Sequence, residues 1–371
     1  MYPKVKPALA RAWRDLQTVQ FGVTPAHAVV LGPVDTATGS LIDRIDGTRG
    51  MELLRAEARR MGLPQGQADG LVRRLAGAGL IDDATAGGPR AQAVRSRPEV
   101  LERLGPDLGS LSLVHPEPGG DLRGLAGRRA IRVRVRGSGR VGAVIAAVLA
   151  GAGVGRVEVL DGGRVEPADV APGGLGPGSV GRLRAEAARA LVRESAPGRA
   201  PREGDPEGPG PEVALVVVAP REGLQAWAPD PATAADWVAT GTPHLYAGVL
   251  EGTGLVGPLV LPGVTACAGC MERERVDRDP AWPRMLVQWR SAHRRRERAA
   301  CDLGLSTAVA GLAAAHALAF LDGRLPASTG ARWEAALPGL HWERSGLVPH
   351  PDCPCGAAVP AVESEPGAVQ S

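Results

Sequence analysis

Between Ile131 and Asp161 the chain lays out a strand, a glycine turn, a helix and a second strand in immediate succession. Ile131-Arg132-Val133-Arg134-Val135-Arg136 alternates with period two, and Gly137-Ser138-Gly139-Arg140-Val141-Gly142 follows at once. An Ala/Val/Leu-rich run then reaches Ala152, and Val157-Glu158-Val159-Leu160 ends on Asp161. In such an order one glycine makes the tight turn, one lets a phosphate approach the backbone, and one lets helix and strand pack closely. The helix N-terminus offers free N–H groups and the positive end of its dipole to an anion. Asp161, closing the second strand, is placed to hold a ribose hydroxyl. Gly137, Gly139, Gly142 and Asp161 are therefore candidate nucleotide-binding residues on an α/β, Rossmann-like, doubly wound sheet. The bland alternative is the same scaffold with a decayed nucleotide site.

A chain of 371 residues has room for two domains. A net charge of +3 makes no demand for nucleic acid. Aromatics are only 3% of the residues, so Ala, Val and Leu must build the core. The N-terminus, Met1-Tyr2-Pro3-Lys4-Val5-Lys6, carries no apolar run behind a basic start, so no signal peptide is expected. The best apolar helical run, Ala308 to Leu321, is short for a membrane span and contains His316. A cytoplasmic protein is expected. His316 itself reads as a core or helix-face histidine.

Five cysteines in such a chain point to metal or thiol chemistry before disulfides. Cys267-Ala268-Gly269-Cys270 has the spacing of a zinc knuckle, and Cys353-Pro354-Cys355 is a tighter second pair. Two such pairs deliver the four thiolates that structural zinc takes in a tetrahedron. His350 is a stand-in if one thiol falls short. Two unrelated reduced pairs, or a redox role for the first pair, are the alternatives. Cys301, at the start of an apolar helix, reads as a small buried hydrophobe.

Residues 1–83 read as a small first domain. Gln17–Phe21 and Ala28–Leu31 look like short strands, and three helices are expected over Gly39–Ile45, Met51–Met61 and Gln67–Ala78. Gly79-Leu80-Ile81-Asp82-Asp83 then starts a wing strand, which completes a winged-helix arrangement. Residues 84–129, rich in Gly, Pro and Arg, read as a linker with an edge strand at Leu111–Val114. The nucleotide-type domain takes 130–356, with further strand pairs at His244–Val249 and Gly254–Leu261, and at Arg332–Ala336 and His341–Leu347. Ala196–Gly210 reads as a loose loop, and 357–371 as a disordered tail.

The glycine turn, Asp161 and the two cysteine pairs together make a sharper signal than any one alone. With Ala152-Gly153-Val154-Gly155-Arg156 leading into the second strand, residues 130–356 resemble the ThiF/MoeB/HesA superfamily, the adenylating fold shared with ubiquitin-activating enzymes. That resemblance implies ATP and magnesium, adenylation of the C-terminal carboxylate of a small carrier protein or peptide, a structural zinc, a crossover loop at Arg284–Arg298, and homodimers. Thr36-Ala37-Thr38-Gly39-Ser40-Leu41-Ile42-Asp43-Arg44-Ile45-Asp46-Gly47 and the Leu71–Leu80 helix resemble PqqD-like peptide-recognition domains. These hold the leader of a ribosomal precursor peptide as an added strand. The pairing of the two domains resembles the partner proteins of YcaO-type, azoline-forming cyclodehydratases.

The resemblance also assigns catalytic positions, and this chain departs from most of them. The second strand-end acid falls on Gly163, an Asn on Asp169, and a phosphate-binding Arg on Pro172. The Lys of the next helix falls on Arg184, which keeps charge but not point-charge geometry. The magnesium-holding Asp should follow Val213–Val218, where Ala219-Pro220-Arg221 stands and Glu222 is the nearest acid. Losing such groups removes on the order of three to five decades of rate. The sequence therefore favours a degenerate adenylating fold that binds and presents a precursor peptide. An active ATP-dependent adenylyltransferase is the alternative. A DNA reader finds support only in Arg73 and Arg74 of the third helix, and a dehydrogenase only in the glycine turn. Arg294-Arg295-Arg296 reads as a solvated run.

Overall fold

The computed structural model describes residues 1–198, 212–293 and 300–358. The Arg294–Arg296 run, most of the loop expected at Ala196–Gly210 and the tail beyond residue 358 lie outside them. The chain divides into two compact units, Met1–Arg129 and Ala130–Ser371.

In the first unit, β1 (Pro3–Val5) is followed by β2 (Arg11–Asp15), β3 (Thr18–Phe21) and β4 (Val29–Leu31), the last three forming an antiparallel sheet in that order. Three helices follow: α1 (Thr36–Ile42), α2 (Met51–Arg60) and α3 (Gln67–Gly77). Asp35 caps α1, its carboxylate accepting the Thr38 N–H at 2.7 Å. Leu41, Ile42, Leu54, Leu71 and Leu75 line the inward faces of the helices and pack on Val19 and Phe21 of β3. The expected wing strand exists as β5 (Ile81–Asp83), but it does not fold back as a hairpin. It pairs antiparallel with β1, Val5 facing Ile81, so the N-terminus supplies the partner strand.

Residues 84–129, expected as a linker with an edge strand at Leu111–Val114, form helices: α4 (Gly88–Arg95), α5 (Pro98–Arg103), α6 (Gly105–Val114) and α7 (Gly120–Arg129). The prolines that suggested a linker sit in the first turns of α4, α5 and α6, where a missing N–H costs nothing. Leu104 and Leu111, a helical repeat apart, join Val94, Val100 and Leu125 in a core of their own. Lys6 is buried and donates to the carbonyls of Ser112 and Pro116, at 2.5 and 3.0 Å, tying the start of the chain to this layer.

The second unit is built on a mixed seven-stranded sheet. Its strands are β6 (Arg132–Arg136), β7 (Arg156–Leu160), β8 (Val213–Val218), β9 (His244–Leu250), β10 (Thr253–Val260), β11 (Ala331–Ala336) and β12 (Glu343–Gly346), in the order β12-β11-β10-β9-β8-β6-β7. β7, β6, β8 and β9 run parallel, and the two expected strand pairs form the antiparallel half. The helices are α8 (Arg140–Gly151), α9 (Arg184–Ser195), α10 (Leu224–Trp227), α11 (Pro231–Ala239), α12 (Ala268–Arg278), α13 (Trp282–His293) and α14 (Leu303–Leu321). Leu215 and Val217 of β8 pack under α8, α9 and α14, while Val216 and Val218 pack under α11 and α12. Helices on both faces explain why β8 is a continuous apolar run. β6 alternates because only Val133 and Val135 enter the core; Arg132 and Arg134 point the other way, to Glu158 on β7.

The helix expected over the apolar stretch Ala299–Leu321 forms as α14, beginning at Leu303. α14 has 19 residues and is long and apolar enough to cross a membrane by length and composition. Its Leu305, Val309, Ala310, Ala313 and Ala317 are nonetheless buried against the sheet and α8, which is the packing of a core helix. The segment expected as a crossover loop is helical as α13 up to His293.

Candidate functional site

Strand order reverses beside β6, whose right-hand and left-hand parallel neighbours are β7 and β8. The crevice outside the carboxyl ends of these strands is where open α/β sheets bind ligands. The glycine turn lies there, between β6 and α8. Gly137 has φ of +104°, and a Cβ on it would meet the Ala219 carbonyl oxygen at 2.0 Å. A Cβ on Gly142 would meet the Gly137 carbonyl oxygen at 2.1 Å. Both glycines are thus required by backbone packing, whatever occupies the crevice. Gly139 differs, since its Cβ would meet only Arg221, nearest at Cγ 3.1 Å away.

Asp161 is placed at the end of β7 as its position in sequence implied. Its carboxylate accepts the Ser138 N–H at 2.7 Å and the Ser138 hydroxyl at 2.8 Å. Arg184 approaches it at 3.2 Å and reaches Asp169 at 3.7 Å. Asp169, only 2% exposed, is bound by the Arg221 Nε at 2.6 Å. Arg221 also pairs with Glu166. The result is one unbroken chain of charges, Asp161–Arg184–Asp169–Arg221–Glu166. Glu166 and Asp169 hold each other in a capping box around the Pro167–Asp169 turn, which fixes both carboxylates before any ligand is considered.

This arrangement assembles the candidate residues Gly137, Gly139, Gly142, Asp161 and Arg184 in one place, and adds three that the sequence did not single out for binding: Ser138, Glu166 and Arg221. Arg221 was visible as the residue after Ala219-Pro220. Its reach across to Asp169, 52 positions away in sequence, was not. It puts a cation at the end of β8, where magnesium would need a carboxylate. A cavity of about 390 Å³ opens beside it, and Arg184, Arg221 and Arg290 contribute to its wall. Glu222 lies in the same wall, and Arg184 and Arg221 are already paired with Asp161, Asp169 and Glu166.

The four cysteines meet elsewhere in the same unit. Cys267 is the N-cap of α12 and Cys270 lies in its first turn. Cys353 and Cys355 arrive from the C-terminal turn. The Sγ atoms lie 3.8 Å apart for Cys267 and Cys270, 3.6 Å for Cys267 and Cys353, and 3.5 Å for Cys270 and Cys355. All four fall within 4.8 Å of one another. Zinc–sulfur bonds of about 2.3 Å in a tetrahedron place sulfurs about 3.8 Å apart, so the cluster has the size of a four-thiolate metal site. Burial pushes the Cys267 thiol pKa up and outweighs the backbone hydrogen bond at Cys270 that lowers it, so a free thiolate is disfavoured there on balance. An ion would supply that stabilisation.

His350 is not a substitute ligand. Its Nε2 faces Asp277 Oδ2 at 2.8 Å, and its Nδ1 accepts the Asp352 N–H at 3.1 Å. Its carbonyl accepts the Cys353 N–H at 3.0 Å, so it shapes the turn that delivers Cys353. Cys301 stands apart from the cluster and is half-buried, packed against the main core, with its thiol pKa raised by burial. His316 is likewise partly buried on α14, and burial lowers its pKa.

The sequence profile of the ThiF family matches residues 121–356. Among curated proteins none matches the chain by sequence. Solved structures share the fold over nearly its whole length. E. coli MccB with ATP superposes with a TM-score of 0.65 at 16% identity, covering 96% of this chain and 99% of MccB. The microcin C7 biosynthetic enzyme MccB in complex with N-formylated MccA gives 0.66 at 15% identity, with the same two coverages of 96% and 99%. PaaA gives 0.67 at 16% identity, covering 92% of this chain and 99% of PaaA.

Proposed function

The chain belongs to the ThiF family, and from that premise we propose that it binds a ribosomally made precursor peptide and presents it to a modifying enzyme of YcaO type, without adenylating it. One observation carries the second half of this reading. The charges that would serve ATP and magnesium are spent on each other, with Arg221 closing the strand end where a metal-holding acid is needed. A magnesium ion there would have to displace a guanidinium from a carboxylate that is 2% exposed.

The first half rests on the first unit and on the likeness to MccB. MccB has been crystallised with the peptide MccA, and the likeness extends over 96% of this chain, so it includes the small N-terminal sheet. The edge of that sheet at β4 lies beside α3, where Arg74 donates to the Gly32 carbonyl at 2.8 Å. Gln67, Gly70, Leu71, Arg73 and Arg74, all of α3, line a cavity of about 470 Å³. A peptide added to β4 would gain main-chain hydrogen bonds from the strand and side-chain pockets from α3. This is the PqqD-like use of the unit, with the first 83 residues as the recognition part and Ala130 onward as the ThiF-like body. Cys267, Cys270, Cys353 and Cys355 hold a structural zinc, and reduced thiols fit a cytoplasmic protein. Homodimers, usual in the resembled family, belong to the same reading.

Two assays on the full chain test this. Titration with a co-encoded precursor peptide should give micromolar binding that a Val30→Pro change, on the exposed edge of β4, weakens at least about tenfold. Pyrophosphate exchange with the same peptide should stay at background. Exchange above background that disappears in Asp161→Ala would overturn the reading in favour of an active adenylyltransferase. That second reading draws on the retained glycine turn with Asp161, and on the shared fold with ATP-bound MccB.

A further inference from the structure

Four thiolates around one divalent ion leave two negative charges over, and two of the four cysteines, Cys267 and Cys270, are buried. Charge in such a place needs donors and cations beside the sulfurs. Backbone groups of Cys270, Cys355 and Ala357 serve Cys267, Cys353 and Cys355 in that order. Cys267 caps α12 and Cys270 lies in its first turn, so the positive end of the helix faces both. A full positive charge also stands against the cluster: Nη1 of the half-buried Arg273 lies 3.9 Å from Cys353 Sγ.

The partners of Arg273 and the shape of its surroundings both direct it there. Helix spacing offers it Asp277, one turn on, as an ion-pair partner. Asp277 instead faces His350 Nε2 at 2.8 Å. Among the described residues Arg273 makes no ion pair, and besides the sulfur it donates only to the Gly269 carbonyl, at 3.3 Å. The other arginines of α12 differ: Arg278 pairs with Glu274, and Arg275 donates to the Trp227 carbonyl at 2.7 Å. Gly269, one turn before Arg273, makes the room. A Cβ on it would meet Cys353 Sγ at 3.1 Å, Arg273 Nη1 at 3.2 Å and Cys267 Sγ at 3.6 Å. Its φ lies outside the left-handed region, so the backbone itself does not ask for glycine there. The missing Cβ is what lets the guanidinium and the two sulfurs come together.

From this contact and the notch at Gly269 we infer that Arg273 is a positioning residue of a four-thiolate metal site, offsetting part of its negative charge and holding Cys353 against α12. The inference rests on the structural-zinc reading and adds a determinant of metal retention that the four ligands do not contain. The two cysteine pairs are not held alike. Cys267 and Cys270 are fixed by the first turn of α12, whereas Cys353 and Cys355 arrive on a turn shaped by the His350 carbonyl. Arg273 belongs to α12 and touches the second pair, so it ties the arriving arm to the fixed one. A guanidinium beside a metal-bound sulfur also draws electron density from it, which lowers the energy of its lone pairs and resists loss of the ligand. The ions that suit four sulfurs in a tetrahedron are soft divalent ones such as zinc.

The test uses the full chain loaded with zinc, or with cobalt(II), whose thiolate charge-transfer absorption reports on the sulfurs. Zinc retention is read by competition with a chelator of known affinity. Arg273→Met should weaken retention about tenfold and move the cobalt charge-transfer band to lower energy. Arg273→Lys keeps the charge without the planar fork and should return retention to within about threefold of wild type. Arg273→Gln, read alongside in case the methionine variant does not fold, should fall between the two. Arg278→Met removes the same charge from an exposed position on the same helix and should change neither retention nor the band. Unchanged retention in both Arg273→Met and Arg273→Gln overturns the inference and leaves the zinc site standing. Weakened retention with an unmoved band overturns it as well, because the effect would then belong to packing. An equal loss in Arg278→Met does the same, because the net charge of the helix would then suffice. A wild type that holds neither zinc nor cobalt sinks the zinc reading itself, and the role of Arg273 with it.

Discussion

The glycine turn and the four-cysteine cluster are both motifs of the second unit, yet the structure treats them in opposite ways. The turn is contiguous in sequence, and its charged neighbours satisfy one another: Asp161 has Ser138 and Arg184, and Asp169 has Arg184 and Arg221. The cysteines come from two distant segments and converge on one another, with backbone groups of Cys270, Cys355 and Ala357 and the Arg273 guanidinium, 3.9 Å from Cys353, as further polar neighbours of the sulfurs. Neutral thiols at such distances bind each other weakly. A cluster of four has the size to hold an ion, whereas the charges above the turn already pair with one another. A motif's presence in sequence says how the backbone is folded; the partners of its side chains say whether a ligand is still needed.

The largest effect should come from the cluster. The purified protein is expected to carry one zinc per chain by elemental analysis, and Cys270→Ser should lower its thermal midpoint by about 10 °C or more. A Cys270→Ser protein that melts like wild type would break the contrast, because the cluster would then be no more than a set of packed thiols. Next comes the turn itself. Gly142→Ala drives a Cβ to 2.1 Å from a backbone oxygen that cannot swing away, and should cost about 3 kcal/mol or more in urea unfolding. Gly139→Ala brings a Cβ to 3.1 Å from the Arg221 Cγ and 3.2 Å from its backbone Cα, a milder crowding, and should cost only about 1 kcal/mol. The reverse order would mean that the turn is shaped by something other than strand–helix packing.

How much of this was legible before the structure follows the same division. Local periodicity carried the three helices of the first unit, β6 through β7, and the continuous apolar β8, because each depends on neighbours in sequence. The cysteine grouping was legible because thiol pairs have few other uses in such a chain. Residues 84–129 were misread because Pro89, Pro98 and Pro106 look like breakers, although each starts a helix, and the core that rewards those helices is assembled from Val94, Val100, Leu111 and Leu125. β1 was missed because a strand of three residues has no period of its own; its partner β5 lies at the far end of the small domain. The Arg221–Asp169 bond joins a strand end to a turn from another connection, and no spacing rule links them.

Arg221 gives the third effect. Asp169 is nearly inaccessible, so Arg221→Ala leaves its carboxylate with Arg184 at 3.7 Å as the remaining cation, and should cost about 2–3 kcal/mol. The Glu166 arm of the pair is more than half exposed and adds little. If the ion-pair chain is structural, Arg221→Ala melts earlier, gains no pyrophosphate exchange and keeps its affinity for precursor peptide. A gain of exchange would show that Arg221 was blocking a working metal site, and would move the turn to the cluster's side of the contrast.

The smallest effect lies on the outer face of the strands that flank the turn. Glu158 receives three arginines: Arg132 at 2.7 Å, Arg156 at 3.0 Å and Arg134 at 3.3 Å. Burial alone would raise its pKa, but the hydrogen bond and charge of Arg132, helped by the other two, hold it below the ordinary value of 4.5. A carboxyl depressed in the folded state binds its proton more readily when unfolded, so its contribution is fully present above pH 4.5 and is lost as pH falls through the lower, folded value. Because the arginines are partly exposed, Glu158→Gln should cost only about 1 kcal/mol at neutral pH, and less at high salt. The urea midpoints of wild type and Glu158→Gln should then converge on acidification below that value. A gap that stayed constant with pH would assign the effect of Glu158 to its packing between β6 and β7, and the alternating arginines of β6 would lose their electrostatic explanation.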